Sequence, residues 1–118
     1  MDYALKDQIQ KLLLKTKEDK INWKQVNQNS IRWITQTDGT NYVVTLQTTL
    51  TGIIINGKQE NQYILTIQNN NGEMILQLQS NKQINSEYTN LLDDLFEIAI
   101  AKTKVESVNI FNKLLDDI

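Results

Sequence analysis

The chain has 118 residues, a net charge of −2, and no histidine, cysteine or proline. Without histidine and cysteine there can be no Ser-His-Asp triad, no thiolate or imidazole metal site and no disulfide framework. One domain covering residues 1–118 is expected, because a chain of this size can bury a single core without staples.

Charge is placed unevenly. Residues 1–24 carry six lysines against Asp2, Asp7, Glu18 and Asp19; residues 86–118 carry three lysines against seven acids; the middle balances. The plain reading is two solvated helices of opposite sign flanking a neutral sheet. The sharper one is that the helices attract each other, or that the acidic one faces a basic partner. Met1 to Gln10 holds Asp2, Lys6 and Asp7 and no apolar run, so no signal peptide is expected. The longest apolar runs, such as Leu12–Leu14 and Ile53–Ile55, are too short to span a bilayer. A cytoplasmic protein is the default expectation.

The spacing predicts a helix over residues 3–16. Leu5, Ile9, Leu12, Leu13 and Thr16 recur on one helical face, Asp2 is placed to cap it, and Lys11, Lys15 and Lys17 suit its C-terminal end. Leu14 lies off that face. A charged connector, Lys17 to Lys20, leads to Ile21 and Trp23. Trp23 reads either as a lid on the core or as an aromatic partner-binding residue.

Residues 31–79 read as a four-stranded antiparallel meander. Asp38-Gly39, Asn56-Gly57 and Asn71-Gly72 tolerate positive φ and suit type I′ turns. Strands are expected at Ser30–Thr37, Asn41 to about Ile55, Gln62–Gln68 and Glu73–Gln79. Period-two alternation turns Ile31, Trp33, Thr35, Tyr42, Val44, Leu46, Thr48 and Leu50 inward, with Tyr63, Leu65, Ile67, Met74, Leu76 and Leu78. Arg32, Thr45, Gln47 and Gln77 are left on an open outer face. Gly52 interrupts the long strand and predicts a bulge or bend. Ile53, Ile54 and Ile55 cannot all turn inward, so this tip either folds over the core edge or offers an apolar surface.

The C-terminal third is helical. Tyr88, Leu91, Leu92, Leu95, Phe96 and Ala99 repeat at helical spacing, with Asn85 or Ser86 as N-cap. Extending that stripe brings Lys102 and Glu106 to the core side, so a break in phase is expected. Thr103 and Glu106 have capping-box spacing, which predicts a separate short helix from about Lys104 with Val105, Val108, Phe111, Leu115 and Ile118 as its apolar face. The fold expected is α+β: helix, four-stranded meander, long helix, short helix, packed as a two-layer sandwich.

Chemistry is sparse. No phosphate-binding glycine loop is present. The doublets Asp93-Asp94 and Asp116-Asp117 read as solvated helix charges, since helix neighbours diverge by about 100°. Trp33 and Tyr42 on strands could stack bases, but the sheet has no positive charge to attract phosphates and both residues fall inward. No enzyme, no cofactor, no metal, no nucleic acid and no membrane is therefore the expectation.

A helix, a lysine-rich connector, Trp23, a meander, then Leu91-Leu92-Asp93-Asp94-Leu95-Phe96-Glu97-Ile98-Ala99 and a short last helix cover nearly the whole chain. In this order it resembles a group of small uncharacterised bacterial and phage-encoded α-β4-α proteins. The resemblance implies a prokaryotic accessory protein and carries over no functional residue.

The function expected is a non-catalytic protein-interaction module of accessory, inhibitor or adaptor type. It would bind a protein partner, or itself as a homodimer, through Arg32 and Gln47 on the open sheet face, the tip at Ile53, Ile54 and Ile55, or Trp23. The alternative is a small-ligand domain, for a nucleotide or metabolite, with a cleft between helices and sheet.

Overall fold

The computed structural model describes residues 3–118, apart from the side chains at 3, 4, 51–53, 55, 58 and 59; Asp2, expected as a cap, lies outside them. Helix α1 (Tyr3–Lys17) is followed by strands β1 (Lys24–Asn27), β2 (Ser30–Thr37), β3 (Thr40–Ile55), β4 (Lys58–Asn69) and β5 (Met74–Ser80). A 3₁₀ turn at Ser86–Tyr88 then opens helix α2 (Thr89–Asp116). The strands form one antiparallel sheet in chain order, and the helices cover one face of it.

The sheet has five strands, not four. The additional strand is β1, four exposed residues that pair with the edge of β2, Gln25 opposite Ile31. No apolar alternation announces it, because its main chain does the pairing. An Asx turn makes the connection, the Asn27 side-chain oxygen accepting from the Asn29 N–H.

Register builds the core in rows. Ile31 lies opposite Leu46, Leu46 opposite Leu65, and Leu65 opposite Leu78, so four buried side chains cross four strands in a line. The next row, Trp33, Val44, Ile67 and Leu76, is partly or fully buried beside it. From above, Ile9 and Leu13 of α1 and Leu92, Leu95 and Ala99 of α2 close the core. Thr16 is buried among them without an orphaned group. Its hydroxyl donates to the Leu12 carbonyl and accepts from the Trp23 indole N–H at 3.0 Å.

Two of the three Asx-Gly turns take the expected form. Asp38 and Gly39, like Asn56 and Gly57, have positive φ at both positions of a two-residue loop. The third differs: only Gly72 has positive φ, and its N–H bonds to the Asn69 carbonyl across a longer loop. The Asn69 side chain accepts from the N–H groups of Asn71 and Glu73, which holds that wider turn. The β4–β5 register slips at Ile67/Gln68 as a result, and Met74, expected inward, is exposed. Leu50 is also exposed, because β3 there has run past the end of β2. The β3–β4 pairing slips between Leu50 and Ile54, the stretch that contains Gly52.

Helix α1 ends in a Schellman motif. Asp19 takes a left-handed φ of 60°, Lys20 donates to the Lys15 carbonyl and Asp19 to that of Thr16. The caps expected before α2 do not form. Asn85 is left-handed and its amide donates to the Gln79 carbonyl, while Ser86 lies inside the 3₁₀ turn.

The expected break near Thr103 is absent too: α2 is one helix of 28 residues. The Thr103 hydroxyl donates back to the Ile100 carbonyl and that of Ser107 to the Thr103 carbonyl, so both bond within the helix and neither caps a new one. The two charges that were to disrupt the core stripe find partners at the rim of the domain. Lys102 pairs with Asp19, and Glu106 with Lys24.

Candidate functional site

Helix α2 crosses the entire sheet and then leaves it. It starts beside β5, where the Thr89 hydroxyl bonds Ser80, passes β4 where Tyr63 donates to Asp93, and reaches β1 at Lys24. Four strand spacings of about 4.8 Å make the sheet roughly 19 Å wide. Twenty-eight helical residues extend about 42 Å. Helix therefore remains when the sheet runs out.

The transition is abrupt. Thr103 is 7% exposed, whereas Val105 is 61% exposed, and every residue from Lys104 onward is exposed. This overhang is rich in apolar side chains: Val105, Val108, Ile110, Phe111, Leu114, Leu115 and Ile118 all stand in solvent. At 100° per residue, Val108, Phe111 and Leu115, continued by Ile118 just past the end of the helix, form a stripe rotated by roughly 135° from the buried line of Leu92, Leu95, Ala99 and Thr103. The phase change visible in the sequence is thus real, but it occurs inside a continuous helix. Its second stripe points away from the domain that the first one packs on. Lys102, Glu106, Lys113 and Asp116 occupy the other side of the overhang, and a notch of about 680 Å³ between that side and Asp19 is walled by Lys102, Glu106 and Lys113 together with Val105 and Ile110.

The residues expected to bind a partner are dispersed. Arg32 and Gln47 share the outer sheet face, where Arg32 is opposite Thr45 and Ser30 is opposite Gln47. That face carries a polar ladder, Gln79 donating to Gln62 and Gln62 to Thr49, with Ile34 and Ile75 exposed. Ile54 is 69% exposed on the β3–β4 arm; the side chains of Ile53 and Ile55 lie outside the described residues. Trp23 is 3% exposed, its ring tilted against Trp33 at a centroid distance of 6.3 Å. It acts as a lid on the core and offers no face to a partner.

Two further features carry polar chemistry. Carboxylate oxygens of Asp93, Asp94 and Glu97 come within 4.8 Å of one another, closer than the divergence of helix neighbours suggests. Asp93 is already engaged by Tyr63, whose phenol is pushed well above its ordinary range by burial first and by the Asp93 carboxylate second. Between α1 and the inner sheet face lies a groove of about 180 Å³ lined by Leu5, Leu12, Trp33, Ile67 and Leu76, with Gln8 at its side.

Compared with protein-family models, with curated proteins and with solved structures, the chain matches none. Among the described residues, no helix is long and apolar enough to cross a membrane.

Proposed function

We propose that the chain is a non-catalytic protein-association module whose principal docking face is the stripe of Val108, Phe111, Leu115 and Ile118 on the overhang of α2. The supporting observation is that stripe's direction: it faces away from its own domain and nothing among the described residues packs on it. An apolar helix face at this spacing is the form in which helices recognise grooves and other helices. Lack of histidine and cysteine supports a non-catalytic role.

The β3–β4 arm is a second surface of the same module. Beyond Thr48, whose N–H donates to the Asn29 carbonyl, the β3 edge has no β2 partner, so it offers main-chain groups beside the exposed Ile54. The outer sheet face, with Arg32 and Gln47, is more polar and contributes less. A photo-reactive amino acid at position 111 should give a protein adduct in host-cell lysate, one at Glu97 should not, and Ile54→Asp should weaken capture only partially. Absence of any adduct from position 111 overturns this reading.

The groove under α1 favours a second reading, a small apolar ligand. Its volume is below the roughly 300–1,000 Å³ of drug-sized sites, and its walls lack the convergent polar groups a nucleotide needs. A short-chain fatty acid that raises the unfolding midpoint would support it; an unchanged midpoint would contradict it.

A further inference from the structure

We infer that the occupant of the α2 stripe is a second copy of this chain, its overhang laid antiparallel on the first. This inference rests on the association reading above and names the partner.

The spacing of the face carries the first part. Ala101, Lys104, Val108, Phe111, Leu115 and Ile118 alternate at intervals of three and four, the seam of a two-helix coiled coil. The residues flanking this seam, Val105, Ser107, Asn112 and Leu114, are uncharged, so the face widens without introducing like-charge contacts. Each large apolar side chain carries on the order of 100 Å² of surface. The four in the seam, Val108, Phe111, Leu115 and Ile118, with the flanking Val105 and Leu114 give roughly 600 Å² per copy and ~1,200 Å² per pair, at the lower end of specific interfaces.

Charge decides the orientation. Upstream on the same side of α2 stand Asp93, Asp94 and Glu97. A parallel pair would set this cluster beside its own copy, whereas an antiparallel pair carries the two clusters to opposite ends. Antiparallel packing with Val108 opposite the second copy's Phe111 places Lys104 opposite Leu115, with its stem along the apolar seam and its ammonium in water. Ala101, small and exposed, then receives Ile118.

The test uses the whole chain. Light scattering should give twice the chain mass at roughly 100 µM, the affinity range open to an interface this small. Phe111→Lys and Leu115→Lys should each return it to a monomer with unchanged near-ultraviolet circular dichroism, which reports the packed domain; lysine also suits a helix C-terminal half. Lys113→Glu, on the opposite side, should leave the dimer intact. The chain has no cysteine, so introduced thiols are unique. A mixture of Val108→Cys and Phe111→Cys chains should form the mixed disulfide, and Leu115→Cys alone should form none. Ready self-linking of Leu115→Cys would overturn the antiparallel register. A wild-type monomer overturns self-pairing altogether. If position 111 then photo-cross-links to a different protein, the association reading stands without it; if no adduct forms, both fall.

Discussion

The Lys24 ammonium lies 2.9 Å from the Glu106 carboxylate, and this pair marks the place where α2 leaves the sheet. Both side chains are about half exposed, so water screens them and the pair contributes less than about 1 kcal/mol. Glu106→Gln should therefore lower stability by no more than that in urea denaturation, with less effect at high salt. A loss of several kcal/mol would show instead that the overhang is anchored to its own domain at this point.

The buried Trp23–Thr16 hydrogen bond should matter more. Thr16→Val keeps the shape of the side chain but leaves the indole N–H without its acceptor, which costs about 1–3 kcal/mol in a buried site. Thr16→Ser should recover most of the loss. Equilibrium unfolding followed by tryptophan emission measures both, and an unchanged midpoint for Thr16→Val would remove Trp23 from its place as a lid.

Tyr63 makes stability depend on pH on the alkaline side. Its folded-state pKa lies above the ordinary 10.0, so the folded chain retains a phenolic proton that the unfolded chain gives up. This contribution is complete below pH 10 and is lost as the pH rises through and beyond it. Tyr63→Phe, which removes a hydrogen bond to a charged group, should cost about 1–3 kcal/mol at pH 7. The gap between the two proteins should narrow above pH 10. Parallel stability curves from pH 7 to pH 11 would contradict this.

Much of the sheet was legible in the sequence because alternation and turn chemistry act locally. Ser30–Thr37 is a strand at the bounds that its pattern predicts, and Leu46, Leu65 and Leu78 are buried as their parity requires. What escaped depends on distant neighbours. Strand β1 exists because β2 offers it an edge, and nothing in Lys24–Asn27 is apolar enough to signal this beyond Val26, which is exposed. The Asn71-Gly72 turn widened because the Asn69 side chain captured two N–H groups, a competition that dipeptide preference does not register.

The candidate site was half legible. Val105, Val108, Phe111, Leu115 and Ile118 stood out as an apolar face, and Lys102 and Glu106 as a break in phase. A break can be resolved by ending the helix or by satisfying the charges, and only the fold, through Asp19 and Lys24, decides which. The expected emphasis on Ile53–Ile55 and Trp23 rested on local hydrophobicity, which cannot separate a core lid from a surface.

The most direct test of the docking face is hydrogen exchange along α2 as a function of concentration. A half-helix without packing is marginal in water, so the amides of residues 105–116 should exchange fast in dilute solution and gain protection as the chain is concentrated or its partner is added. Those of residues 92–103 should stay protected throughout. Equal and strong protection of both halves at high dilution would mean that the overhang packs on its own domain, and the stripe of Val108, Phe111, Leu115 and Ile118 would then have no docking role.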